Sequence, residues 1–526
     1  MVEVTVLSRA ETEDTMQGQD KRVKCKRKKE SKENMAWRVT TTRAAMGIMM
    51  MLVLFAVPTI TAANRDLNDL VRLYSTQRIV ELDINETCTF KLKDGRQRVI
   101  RLVSVEEQRD SVVDLVRCAS VRVTIDGKPL DLLCEPCRMP TEIDGLRLQA
   151  DTTSGYGNIE KRVQLSLWDA ADPIVDTTRF VFPLQNYRLF SHGTQAYNEP
   201  VYLGTGDDDP AGQKFYHDYG FDMAGFEGGE PVFSAIEGDV VYFWPNRDNI
   251  CSILVQDRNG FVLEHVHLNA VEPNIVLNTH VAAGQKIGTL GRTGPSGNFS
   301  HLHVGTYLQL GDTSLKPGDP DNPNRRLNLY PWLVTAYQAL HPKGLLAVAR
   351  PHHIVLAGDK IVFDGSNSLV WGGNKITQWR WEFPDGQTVD QVRAEKMFDR
   401  PGSYVATLRI KDNQGNEDAD FCQFKVFSRE NTEKNMPHIF ISYTPSEDIR
   451  PNQPVRFRFW MQGTDGRPMR VVFSDGTKLD EYQSDSEFTH AFKNPGLYIV
   501  TAQCDVDGKP TMQKLKVVVN SPPKLK

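Results

Sequence analysis

The chain carries no excess of positive charge. Its 62 lysines and arginines face 67 aspartates and glutamates, for a formal net charge of −5. That balance gives no support for a nucleic-acid binder, which usually shows a basic patch or domain. Cysteine is scarce, with 8 in 526 residues, so no dense disulfide framework organises the whole chain. The glycines between Gly284 and Gly297 have no following Gly-Lys-Ser/Thr and open no helix, which excludes a phosphate-binding loop. A long uncharged and strongly apolar run occupies Ala44 to Ala63. With 40% apolar and 25% charged residues, the remainder has the composition of ordinary globular protein. At this length several domains are expected.

The N-terminus departs from that composition. Residues 1–43 are polar and include a basic run from Lys21 to Lys29. Residues 44–63 read either as a signal peptide cleaved after Ala63 or as a membrane anchor with its basic flank on the cytoplasmic side. The signal-peptide reading is favoured; a start at Met35 would give it a short basic leader of normal length. Both readings export residues 64–526 to a periplasmic, cell-surface or secreted location. Cys88, Cys118, Cys134 and Cys137 cluster in the first exported region. In an oxidising compartment they are expected to pair as disulfides, in one of three ways. The alternative makes Cys134 and Cys137 half of a zinc site. Cys251, Cys422 and Cys504 read as buried small hydrophobes.

The fold class is mainly β. Residues 64–194 read as an N-terminal β-domain, beginning with a short helix over 64–75. Asp94-Gly95 and Asp126-Gly127 each interrupt an alternating apolar pattern and mark hairpins. Residues 195–340 form a second unit of short strands and glycine turns, closed by an amphipathic helix from Leu329 to Leu340. The last third contains an internal repeat. Trp381-Glu-Phe-Pro-Asp385-Gly386 followed by Phe398-Asp-Arg-Pro401-Gly402-Ser-Tyr404 is echoed by Val472-Phe-Ser-Asp475-Gly476 and Phe492-Lys-Asn-Pro495-Gly496-Leu-Tyr498. The pattern predicts two tandem Ig-like β-sandwiches, over 347–428 and 436–521. The first copy resembles the polycystic kidney disease (PKD) domain; in the second the Trp position has become Val471. The resemblance implies spacer or adhesion modules, which would hold the rest of the chain at a polymer or surface and be removable without loss of its chemistry.

Chemistry concentrates in residues 200–310. In Ser300-His301-Leu302-His303-Val304-Gly305 two imidazoles one residue apart on a strand point the same way. Upstream, Phe215-Tyr-His217-Asp-Tyr-Gly220-Phe-Asp222-Met-Ala-Gly225 offers a histidine and a carboxylate. With His303 they make a three-ligand set of the kind a catalytic zinc uses. Next come Pro231-Val232, Gly238-Asp-Val240, His267-Leu268 and Val281-Ala-Ala-Gly284-Gln-Lys-Ile287-Gly288-Thr-Leu-Gly291. In this order the motifs resemble the lysostaphin-type zinc metallopeptidases, the family that includes LytM and many peptidoglycan hydrolases.

That resemblance implies an antiparallel β-sheet with a groove and one Zn2+ per catalytic domain. It implies His217, Asp222 and His303 as metal ligands and His267 and His301 as catalytic residues. It further implies an exported zinc metalloendopeptidase acting on peptidoglycan cross-links or stem peptides. The competing expectation is an inactive binding or regulatory scaffold that keeps the peptidase fold. One departure stands out. The family's first motif commonly has three residues between His and Asp, whereas four separate His217 from Asp222. Asp218 is set aside as a co-ligand because it adjoins His217. His265, two residues before His267, is expected to share its face on a strand.

Overall fold

Both Asp-Gly turns are where the alternating pattern places them. At Asp126-Gly127 the two central residues are left-handed, with φ of 51° and 82°, as a tight two-residue hairpin requires. The ladder runs to the turn, Ile125 opposite Lys128. Gly95, at φ 89°, turns the neighbouring hairpin between Lys91 and Gln97. This computed structural model describes residues 67–157, 159–202, 215–245, 251–294, 296, 299–307, 327–430, 436–462 and 467–521. Segments 1–43 and 44–63 lie outside the described residues, and no described helix is long and apolar enough to cross a membrane. The chain is mainly β, 51% strand and 5% helix.

The N-terminal domain pairs two four-stranded sheets. One orders Arg78–Leu82, Val163–Asp169, Leu146–Thr153 and Thr141–Ile143; the other orders Thr87–Lys91, Gln97–Arg109, Val116–Ile125 and Lys128–Cys134. Ile100, Leu102, Val121, Leu148 and Leu165 fill the space between them. The expected disulfides do not form, and Cys88, Cys118, Cys134 and Cys137 are free thiols. The packing explains this. Cys134 sits in the N-terminal core while Cys137 is buried in the core of the next domain. Cys88 lies opposite Ile100 in the ladder, and the Cys118 thiol is 3.3 Å from Gln108 Oε1. No cysteine joins a metal-binding group among the described residues.

The central domain is a seven-stranded antiparallel sheet. Its order is His280–Val281, Gly238–Trp244, Ser252–Gln256, Val262–Val266, His301–Tyr307, Phe221–Ala224 and Thr194–Gln195. One face carries Met223, Ile253, Val255, Leu263, Leu302 and Val304 into the largest core. The helix Tyr330–Leu340 closes that core. It is more buried than an amphipathic helix would be, because Tyr330, Pro331, Trp332, Leu333, Val334, Ala336 and Tyr337 all pack inward. The first helix, Leu67–Val71, and residues 175–190 join the same core, so the domain draws on chain from before residue 195.

The C-terminal repeat is physical as well as textual. Tyr404 donates its hydroxyl hydrogen bond to the carbonyl of Arg400, four residues back, and Tyr498 does the same to Asn494. Gly386 and Gly476 turn the equivalent hairpins at φ 81° and 98°. Trp381 and Val471 are both fully buried at the corresponding place. The two sandwiches are not a detachable tail. A nine-stranded sheet runs through both, joined where Ser403 meets Thr511. Leu346 and Val348 are buried in the central core. Arg350, 2% exposed, bridges Asp420 of the first sandwich at 2.8 Å and lies 3.8 Å from Glu199 of the central domain. In the second sandwich, Tyr443 stacks on His192 at 4.4 Å.

Two outcomes follow. A chain ending before residue 347 leaves Glu199 buried without its arginine and opens the core at Val348, each costing on the order of a few kcal/mol. It should lose soluble yield or melt well below the full chain; equal melting temperatures would show the sandwiches to be separable after all. The second outcome concerns Asp151, fully buried, which accepts from Ser166 Oγ and is pushed up to about 7 by desolvation. Its proton stays on in the folded state over a range where the unfolded chain has lost it. Its contribution to stability therefore falls as pH rises from about 4 to about 7, by up to about 4 kcal/mol. Asp151→Asn should narrow the difference in unfolding free energy between pH 5 and pH 8, measured by denaturant titration; an unchanged difference would mean that Asp151 is ionised in the folded protein.

Candidate active site

The site is assembled by ladder register. Phe221–Ala224 runs antiparallel to His301–Tyr307, with Asp222 opposite His303 and Ala224 opposite His301. Alternation sends Phe221, Met223, Leu302 and Val304 into the core and Asp222, His301 and His303 to the other face. The His303 Nδ1 atom lies 2.6 Å from Asp222 Oδ1. The small side chain of Ala224 gives His301 no such partner directly opposite.

Asp218, His303 and Asp222 each present one ligand atom, all within 4.8 Å of one another. They are 2%, 5% and 3% exposed. Asp218 is held by its backbone: its N–H donates to the carbonyl of Glu199 at 2.9 Å, and its carbonyl accepts from Asn198 N–H at 2.8 Å. Gly220 N–H donates to Asp218 Oδ1 at 2.8 Å, closing the turn back to Asp222. A Cβ on Gly220 would lie 2.5 Å from His303 Cε1 and 2.7 Å from the Val304 carbonyl, so glycine is required for this close approach.

His217 does not join them. It ends the strand Phe215–His217, and adjacent residues of extended chain face opposite ways. Its Nε2–H donates to the Val116 carbonyl at 3.0 Å, and its ring meets Tyr156 edge-on at 4.9 Å. Desolvation pushes it down to about 4. His217 is thus turned to the N-terminal domain, and Asp218 stands where the sequence reading put a histidine. Three residues separate Asp218 from Asp222, so the extra residue disappears.

The electrostatics are those of two buried carboxyls sharing one imidazole. Burial, and then the charge of Asp222, hold Asp218 well above the usual carboxylate range. Burial opposes charge on Asp222 too, but His301 and His303 outweigh it and keep Asp222 low. Burial likewise disfavours the His303 cation, yet Asp222 and the hydrogen bond to it lift His303 well above 6.5. Two adjacent buried carboxyls facing one imidazole make an oxygen, oxygen, nitrogen donor set, which suits a divalent cation. The residues therefore fit a metal.

His267 and His301 complete the site. The strand Val262–Val266 ends one residue before His267, whose φ of 66° swings it off the alternation. Without that turn it would share the core face with His265. His265 does face the core, opposite Val304, with Ala235 N–H 3.4 Å from its Nε2. It is therefore not on the face of His267. The rings of His267 and His301 are 4.5 Å apart. His267 Nδ1–H donates to the Thr293 carbonyl and His301 Nδ1–H to the Phe299 carbonyl, each at 2.7 Å. Each Nε2 is left as the basic atom, and that of His301 lies 3.5 Å from Asp222 Oδ2. Desolvation, and then His301, push His267 down to about 3; desolvation also lowers His301.

Residues 216–317 match the model described as peptidase family M23, and residues 346–426 match the PKD domain. The central domain is an M23 peptidase domain. The catalytic domain of lysostaphin from Staphylococcus simulans is similar at 21% identity, covering 27% of this chain and 92% of that one, with a TM-score of 0.20. A zinc containing peptidase from Vibrio cholerae is similar at 15% identity, over 38% and 81% of the two chains, with a TM-score of 0.19. Collagenase ColA of Clostridium perfringens is 25% identical over 119 residues, 22% of this chain. This chain spans only 10% of the length of that relative.

The M23 match indicates a hydrolase of the peptidase class. Within the M23 domain, sequence reading reached His303, Asp222, His267 and His301 and the structure brings all four together. It passed over Asp218, whose signal was the three-residue spacing to Asp222. It also passed over Glu264, fully buried on the same face of the sheet. If the close approach at residue 220 holds the site, Gly220→Ala should cost about 1–3 kcal/mol of stability and weaken binding of added Zn2+. Thermal unfolding and a chelator-competition titration check this; wild-type metal affinity in the variant would show that the contact is slack.

Proposed function

We propose that this protein is an exported, zinc-dependent endopeptidase that hydrolyses peptide bonds in peptidoglycan cross-links or stem peptides. The observation that carries the proposal is the buried Asp218, Asp222 and His303 group beside two histidines in the Nδ1–H form. The peptidoglycan substrate rests on the family resemblance, and export rests on residues 44–63. The PKD module and its companion sandwich are proposed to support binding of the polymer while remaining part of the folded unit.

Asp218, Asp222 and His303 would hold the metal. When bound, it supplies a Lewis acid and lowers the pKa of a coordinated water. The protein residues do the rest. A neutral imidazole Nε2, of His301 or His267, accepts the proton of the attacking water as its oxygen bonds to the scissile carbonyl carbon. The same nitrogen then passes that proton to the amide nitrogen as the C–N bond breaks, releasing an amine and a carboxylate. Backbone carbonyls at Phe299 and Thr293 fix both rings in the tautomer that accepts the proton.

The test compares Asp218→Asn with His217→Gln in the full chain. Asp218→Asn should lose stoichiometric zinc and at least 100-fold in muropeptide cleavage, whereas His217→Gln should keep both. The reverse pattern would return the ligand role to His217. A wild-type protein that binds zinc but cleaves no muropeptide would favour the scaffold reading.

A further inference from the structure

Behind His303, on the side away from Asp222, lies Glu264. Its Oε1 is 3.4 Å from His303 Nε2, while His303 Nδ1 faces Asp222 at 2.6 Å. The imidazole is thus held between two carboxyl groups, one on each ring nitrogen. Glu264 lies in the middle of the strand Val262–Val266 and is 0% exposed. Carboxyl side chains are almost never fully buried without a partner, because the desolvation cost has no return. Glu264 plays no part in the proton transfers described above.

The ladder shows how it reaches its place. Glu264 is directly opposite Gly305, and Val266 is opposite His303. Glu264 and His303 are therefore diagonal neighbours on one face, a separation that long side chains span. The position opposite Glu264 has no side chain. A Cβ on Gly305 would lie 2.3 Å from Glu264 Oε1 and 3.2 Å from His303 Nε2. Glycine at 305 is what lets the Glu264 carboxyl lie over the neighbouring strand and meet the imidazole.

We infer that Glu264 is a positioning residue for the metal ligand His303. From its 3.4 Å approach it would accept the Nε2–H hydrogen bond, so that Nδ1 is the atom presented to Asp218, Asp222 and the cation. This rests on the metal-site reading above. Histidine ligands commonly donate their second N–H to a carboxylate or carbonyl, which fixes the tautomer and ring orientation. Here the glutamate comes from one strand, the histidine from the next and Asp222 from a third, so the sheet register itself orients the ligand. The sequence hid Glu264 because it is a lone acid in Val262-Leu-Glu264-His265-Val266, where alternation identifies a face but not a partner.

The experiment measures Zn2+ affinity of the full-length protein by chelator competition, and the visible absorption of the Co2+-substituted protein. Wild type, Glu264→Gln, Glu264→Ala and Asp222→Asn are compared. Loss of an outer hydrogen-bond partner typically weakens metal binding 10–100-fold. Glu264→Ala should therefore bind Zn2+ roughly 10–100-fold more weakly and alter the Co2+ spectrum, with Glu264→Gln between it and wild type. Thermal unfolding of the metal-free variants identifies any that fail to fold; the near-isosteric Gln variant keeps the comparison valid if the Ala variant does. Wild-type Zn2+ affinity and Co2+ spectrum in a folded Glu264→Gln, with binding lost in Asp222→Asn, would overturn the role of Glu264 alone. Absence of Zn2+ binding by the wild type, or its persistence in Asp222→Asn, would overturn the metal site and this inference together.

Discussion

Two carboxyl groups buried beside each other cannot both be ionised without a cation between them. Asp218 and Asp222 are in that position, each less than 5% exposed, with His303 as their shared neighbour. Burial and the neighbouring Asp222 push Asp218 up, Asp222 and its hydrogen bond lift His303 against burial, and the two imidazoles keep Asp222 low. The arrangement is poor as a stabilising ion pair, since buried pairs barely recover their desolvation. As an oxygen, oxygen, nitrogen donor set it is compatible with a divalent ion.

Such a set must be held rigidly, and the supporting contacts extend beyond the M23 domain. Asp222 and His303 are fixed by ladder register, but Asp218 lies on a turn and depends on the carbonyl of Glu199 and the N–H of Asn198. The Glu199 carboxyl in turn accepts from His352 N–H at 3.0 Å and from Ala196 N–H at 3.0 Å, and faces Arg350. Arg350 is bonded to Asp420 in the first sandwich. On the other side, Asn198 donates to the Asp151 carbonyl of the N-terminal domain at 2.9 Å. The turn bearing Asp218 is therefore clamped by neighbours from both directions. Modules that read in sequence as spacers are, in contact terms, walls of the domain they were expected only to carry.

Much of this was legible beforehand because the signals were local. Asp-Gly pairs with both residues able to adopt positive φ fixed the hairpins, and the repeated Pro-Gly-x-Tyr carried the tyrosine hydrogen bonds of both sandwiches. His301-Leu-His303 gave one face of one strand. What could not be read depends on where chains meet. The fate of Cys134 and Cys137, three residues apart yet in different cores, is set by a domain boundary that composition does not mark. His265 and His267 share a spacing with His301 and His303, but a left-handed residue at 267 ends the alternation.

The placement of His217 apart from the group shows the same limit at single-residue scale. Histidine is the better known zinc ligand, so the pair His217-Asp218 invites choosing the first residue and tolerating an irregular spacing. Backbone geometry decides the other way. His217 is the last residue of a strand paired to Pro200–Tyr202 and shows its ring to Tyr156, whereas Asp218 begins the turn that returns to Asp222. Spacing was the stronger constraint, because the turn fixes how many residues fit between two side chains that meet at one place. The His301 and His303 pair divides by the same logic. Both imidazoles leave the strand on one face, but His303 is opposite an aspartate and His301 opposite an alanine. What lies across the ladder, rather than the His-x-His motif, sets His303 directly against the Asp222 carboxyl and leaves His301 only its longer diagonal approach to it.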